Sequence, residues 1–93
     1  MRDLVAELSS MVDEDSDPPE LWWHVECGVD GDSVGGEDSA LELREVVDTV
    51  LGMAQSGQRI RWVVRDDEHR PQGTPSTTEA LAASGVTLPQ VGT

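Results

Sequence analysis

The chain has no lysine, asparagine, phenylalanine or tyrosine, a single cysteine, and 6 arginines against 19 acidic residues. Each shortage closes a class of function. Without lysine, Schiff-base chemistry and the lysine of a phosphate-cradling Gly-x-x-x-x-Gly-Lys-Ser/Thr loop are excluded. At a net charge of −13 the chain is repelled by bare nucleic acid and by anionic membrane surfaces, so neither is expected as a direct partner. Cys27 alone closes no disulfide within the chain, which fits a reducing compartment. No apolar run nears the roughly 20 residues that span a bilayer, and Met1-Arg2-Asp3-Leu4 lacks the apolar stretch of a secretory signal. The expectation is a cytoplasmic protein. With 93 residues there is room for one small domain, and such a chain buries only roughly 60 to 65% of its unfolded surface.

What is present is biased toward Val, Ala, Gly, Asp, Glu and Arg, the residues with G- and C-rich codons. A high-GC background or a salt-rich cytoplasm accounts for such acidity without any partner, and that explanation competes with every functional use of the charge. Leu, Ile and Val make 21 of 93 residues, just above the roughly 20% below which highly charged chains stay unfolded. The charge is also unevenly placed. Residues 1 to 38 carry −11, whereas 58 to 65, with Arg59, Arg61 and Arg65, carry +3.

Periodicity divides the chain into elements. Leu4, Val5, Leu8, Met11 and Val12 recur at helical spacing, which predicts a short amphipathic helix over 3–12 with Asp3 as a candidate N-cap. Asp13-Glu14-Asp15-Ser16-Asp17-Pro18-Pro19 ends it, so 13–20 reads as an acidic linker or turn. From Leu21 the period becomes two: Leu21, Trp23, Val25, Cys27 and Val29 share one face of a strand, and Trp22, His24, Glu26 and Gly28 the other. Asp30 to Asp38 has the glycine and acid content of a loop. Ser39-Ala40-Leu41-Glu42 has the form of a capping box, which predicts a helix starting there. Its stripe is Leu43, Val46, Val47, Val50, Leu51 and Ala54, and Gly57 stands at its C-cap. Alternation over 59–65 predicts a second strand, with Ile60, Trp62 and Val64 inward and Arg59, Arg61, Val63 and Arg65 outward. Residues 66–75 read as a loop. Ser76-Thr77-Thr78-Glu79, another capping box, opens a third helix that ends near Gly85. Residues 86–93 carry too little apolar content to assign, although Val86-Thr87-Leu88 offers a short strand.

The predicted architecture is one small α/β (or α+β) domain in the order α-β-α-β-α. Its two strands, joined through a helix, should run parallel. Two parallel strands make a poor sheet. The sheet is therefore expected to gain a strand from the C-terminal segment, from a second copy, or from a partner's edge. Its outward face would gather Trp22, His24 and Glu26 with Arg59, Arg61 and Arg65, and Trp and Arg are the side chains most enriched at binding hot spots. Ordinary ion pairing of those arginines with the surplus carboxylates is the plainer alternative.

Catalytic and metal motifs fail on particulars. Gly31-Asp32-Ser33 with Asp66-x-x-His69 resembles the nucleophile and Asp-x-x-His blocks of SGNH-type hydrolases, and Gly31-Asp32-Ser33-Val34-Gly35-Gly36 is similar to a serine-protease nucleophile loop. The first family also uses an asparagine, of which this chain has none, and Val34 interrupts the second string. Both folds need far longer chains to build an oxyanion hole. His24 and Cys27, three apart, point to opposite faces of a strand and form no dyad. His24 and Glu26 share a face but lack a further Cys or His pair to complete a zinc set. Asp13-x-Asp15-x-Asp17 opens like an EF-hand loop but has Pro18 where glycine must turn, and Asp30-x-Asp32 lacks the closing glutamate.

These readings predict no catalytic residue, no cofactor and no metal. The expected function is a noncatalytic protein-interaction module, in its sharpest form an acidic inhibitor occupying a basic, nucleic-acid-binding surface of another protein, as a phage counter-defence or immunity protein would. The predicted partner-binding residues are Trp22, His24, Glu26, Arg59, Arg61 and Arg65 together with Asp13, Glu14, Asp15, Asp17, Asp30 and Asp32. The competing expectation is a homodimeric assembly subunit whose acidity reflects its background.

Overall fold

A computed structural model describes residues 2–29, 34–66 and 73–89. Its first element corrects the sequence reading, because β1 (Leu4–Asp13) is a strand and not a helix. Leu4, Ala6, Leu8 and Ser10 are buried, while Val5, Glu7 and Ser9 between them are not. Leu4 and Leu8 satisfy a period of two as well as a period near 3.6, and the small residues Ala6 and Ser10 complete the strand face.

β2 (Glu20–Val29) follows as the antiparallel partner of β1, with Asp13 opposite Glu20 and Leu4 opposite Val29. The acidic segment 13–20 is thus a hairpin connection between paired strands. The Asp13 carboxylate accepts from the Asp15 N–H (3.1 Å) and the Ser16 hydroxyl (3.0 Å), which is how a short acidic side chain closes a turn on its own backbone. The inward face of β2 is the expected one: Trp23, Val25 and Cys27 are buried and Leu21 packs against them.

β3 (Val34–Ala40) lies where a loop is predicted over 30–38; residues 30–33 are outside the described segments. Glycine lowers strand propensity, yet Gly36 faces the helix layer, where an added Cβ would stand 2.7 Å from Met53 Cε. At this glycine the side chain of Met53 lies directly against the strand, and a Cβ there would require the flexible end of that methionine to shift.

α1 (Leu43–Met53) buries Leu43, Val46, Val47 and Val50, the predicted stripe. It begins later than the capping box implies. Ser39 belongs to β3, and Glu42 occupies the N-cap position without a side-chain cap bond. Gly57 does not cap the helix, which ends at Met53 with Ala54 as its C-cap; its positive φ of 79° instead serves the next turn, where the Gln58 N–H donates to Gln55 O at 2.9 Å. β4 (Ile60–Val64) matches the predicted second strand, with Ile60 fully buried. α2 (Thr77–Ser84) matches the third helix: Ser76 Oγ accepts from the Glu79 N–H at 3.1 Å, and Gly85, with φ of 72°, ends it in the left-handed conformation. Residues 86–89 add no strand; Val86 and Leu88 pack on the core and Pro89 O accepts from Trp62 Nε1 at 2.8 Å.

The content is mixed α/β in one small domain, as expected, but the sheet has four strands in the order β3-β2-β1-β4. β1 stands between the two strands expected to be neighbours. β2 is antiparallel to β1 and β1 is parallel to β4, so β2 and β4 run in opposite directions. The parallel crossover is instead β3–α1–β4, which passes over β2 and β1. The sheet thus gains its missing strands from its own chain.

Both helices lie on one face. α1 packs over β2 and β3, α2 over β1, and the core gathers Leu4, Ala6, Leu8, Trp23, Val25 and Cys27 beneath them. α2 also continues the ladder where β4 stops. Arg65 N–H donates to Leu8 O at 2.8 Å, and two residues on, the Ser10 N–H donates to Thr77 Oγ1 at 3.0 Å. A buried side chain there takes the place of the next strand residue.

Candidate functional site on the open sheet face

No described helix covers the other face of the sheet, and none of the described residues on it is buried. The register lays these side chains out in rows. One row runs Glu37, Glu26, Glu7 and Val63 across β3, β2, β1 and β4. The next places Ser39 beside His24 and His24 beside Ser9. Trp22 lies opposite Met11 near the hairpin turn, and Gly28, Val5 and Arg61 form the row at the far end.

Three carboxylates directly opposite one another on adjacent strands repel, since strands lie only about 4.8 Å apart. Glu7 is compensated by Arg65, whose Nη2 is 2.6 Å from Glu7 Oε1. His24 faces the other two, with Nε2 3.4 Å from Glu26 Oε1 and 3.8 Å from Glu37 Oε2. Its second ring nitrogen, Nδ1, lies 2.7 Å from Ser39 Oγ, which fixes the ring plane. His24, Glu26 and Glu37 offer three ligand atoms that all lie within 4.8 Å of one another.

The predicted Trp/Arg cluster does not form, because β1 separates β2 from β4. Trp22 sits at the turn end of the hairpin, Arg61 lies in the row at the opposite end, and Arg59 precedes β4 and pairs with Asp3 at 3.3 Å. The arginines Arg59 and Arg65 are engaged by carboxylates of β1 and its approach, which is the plainer of the two expectations. Asp13, Glu14, Asp15 and Asp17 flank the turn beside Trp22 and the exposed Met11, with Asp13 committed to the turn itself. Asp30 and Asp32 lie outside the described residues, as do Ser33 and His69 of the hydrolase-like strings. Asp66 accepts from the N–H (3.1 Å) and the hydroxyl (2.9 Å) of Thr78, a helix-anchoring task. Cys27, as expected, faces away from His24; burial pushes its thiol above the ordinary value and removes it from nucleophilic use.

Glu7, Glu37 and Ser39 are the members of this face that the sequence reading misses. Glu7 is hidden by the helical reading of β1, Glu37 and Ser39 by the loop and capping-box readings of β3. Elsewhere, a shallow cavity of about 380 Å³ beside β4 is lined by Asp3, Arg59, Ile60, Arg61 and Trp62. Two of its three charged lining residues, Asp3 and Arg59, pair with each other. Among the described residues no helix is long and apolar enough to cross a membrane.

No family model, no curated protein and no solved structure matches this chain.

Proposed function

We propose that the chain is a noncatalytic protein-interaction module whose open sheet face docks on a basic surface of another protein. The observation that carries this reading is the row Glu7, Glu26 and Glu37: a line of carboxylates held at strand spacing on a face that no described helix covers. A rigid backbone fixes their separation, so a partner's cations meet them without an ordering cost in the strands. The acidic hairpin turn extends the negative field beyond one end of the sheet, with exposed Met11 and half-buried Trp22 beside it as apolar anchor. An inhibitor that fills a nucleic-acid-binding groove, as a phage counter-defence or immunity protein does, is the form of this function that best uses the charge.

A homodimeric assembly subunit is the competing reading. Its argument rests on a two-stranded sheet in need of neighbours, and β1 and β3 supply those neighbours within the chain.

The test begins with capture from the native host at low salt and proceeds with the purified captured protein. Its affinity should fall by about tenfold or more between low and moderate ionic strength. It should fall again by about tenfold in the Glu7→Gln, Glu26→Gln, Glu37→Gln variant. Replacing the exposed acids of α1, as Glu45→Gln with Asp48→Gln, should change it less than about twofold. Equal losses from both variants, or affinity indifferent to salt, would reject docking through this face.

A further inference from the structure

The geometry points to a divalent transition-metal site of zinc type on the open face, with Nε2 of His24 and one carboxylate oxygen each from Glu26 and Glu37 as its ligands. The placement follows from the sheet. Glu26 and Glu37 are a directly opposed pair on β2 and β3, and His24, two residues before Glu26, shares their face. The three donors thus come from two adjacent hydrogen-bonded strands.

The distances match the spacing of ligands around one ion. A charge-assisted N–H···O bond closes to about 2.7 to 2.9 Å. Here Nε2 stands 3.4 Å from Glu26 Oε1, a long hydrogen bond, and 3.8 Å from Glu37 Oε2, beyond hydrogen-bond distance. Two ligands of one tetrahedral ion with bonds near 2.1 Å lie about 3.4 Å apart. The arrangement therefore fits two edges of a coordination tetrahedron, one as it stands and one after a small side-chain adjustment. The same geometry also holds one long hydrogen bond, between His24 Nε2 and Glu26 Oε1, which a bound ion would replace.

A second observation lies outside the ligand set. A histidine that binds a metal through Nε2 carries its proton on Nδ1 and donates it to a fixed acceptor. Ser39 Oγ, 2.7 Å from Nδ1, stands in that position. Ser39 is opposite His24 on β3, so the strand that brings Glu37 also brings the group that orients the ring.

The donor set selects the class of ion. One imidazole nitrogen with two carboxylates suits zinc and its neighbours, whereas calcium and magnesium ask for six or more oxygens. With three protein ligands at the surface, the fourth position opens to solvent and takes a water molecule. A bound dication also offsets the repulsion between the opposed carboxylates of Glu26 and Glu37. The site shares Glu26 and Glu37 with the docking row, and its test reads the metal alone, so the two readings fail separately.

Metal-free protein is titrated with zinc chloride and, separately, magnesium chloride, with calorimetry for stoichiometry and nitrogen-detected imidazole NMR for the ligating atom. One equivalent of zinc should bind and shift Nε2 of His24, and magnesium should bind at least about tenfold more weakly. His24→Gln and Glu37→Gln should each weaken zinc by about tenfold or more, and His69→Gln by less than about twofold. Zinc should raise the melting temperature of the wild type more than that of Glu37→Gln at the same concentration, a difference that a folded variant reports directly. Zinc taken up in several equivalents regardless of His24, a loss that follows His69, or no saturable binding below about millimolar zinc would each overturn the assignment.

Discussion

The two faces of the sheet are built on the same backbone, residue by residue, and share almost nothing else. Leu8, Val25, Cys27 and Ile60 on the inner face are at most 1% exposed. Their neighbours Glu7, Glu26 and Arg61 on the outer face are charged and solvated. One face supplies the free energy of folding, because apolar area removed from water is what a short chain with no covalent crosslink depends on. The other face carries charge whose effect on the fold is small beside that of the core. The comparison teaches that stability and chemistry are separable here by a shift of one residue along any strand.

The largest expected effect therefore comes from the inner face. Leu8→Ala should cost about 3 kcal/mol, the transfer term plus an unfilled cavity beneath the helices, and a small domain has only about 5 to 15 kcal/mol in total. Urea unfolding followed by tryptophan fluorescence reads it; a loss under about 1 kcal/mol would mean that the core is loosely packed. The next effect tests the seam between α2 and β1. Thr77→Val keeps the shape but removes the acceptor of the buried Ser10 N–H and the hydroxyl contact at 3.1 Å. A cost of about 2 kcal/mol is expected. If the variant is as stable as the wild type, the helix is held by apolar contacts alone and does not extend the ladder.

How much of this was legible in the sequence also divides by face. The inner face of β2, the stripe of α1, β4 and the cap of α2 are each written in local patterns that only one structure satisfies. β1 is not, since Leu4 and Leu8 fit both periods and the deciding residues, Ala6 and Ser10, are too small to register as core. β3 is legible least of all. Its glycines and acids suit a loop, and it becomes a strand through the ladder that β2 offers. The open-face site fails in the same place: His24 and Glu26 are readable as one face of a strand, but Glu37 and Ser39 reach them through tertiary pairing that no local pattern announces.

The smallest expected effect is the sharpest test of the division. Glu37 is an exposed member of an opposed like-charge pair, so Glu37→Gln in metal-free buffer removes repulsion from Glu26 and gives up only the long contact to His24 at 3.8 Å. The net change should be a gain of a few tenths of a kcal/mol at low salt. Above about 0.5 M salt it should shrink toward zero, because the Debye length is then shorter than the strand spacing. Matched urea titrations at both ionic strengths, with a chelator present, measure it. A loss of more than about 1 kcal/mol would place Glu37 among the residues that hold the fold together, and the outer face would then be part of the scaffold instead of a surface mounted on it.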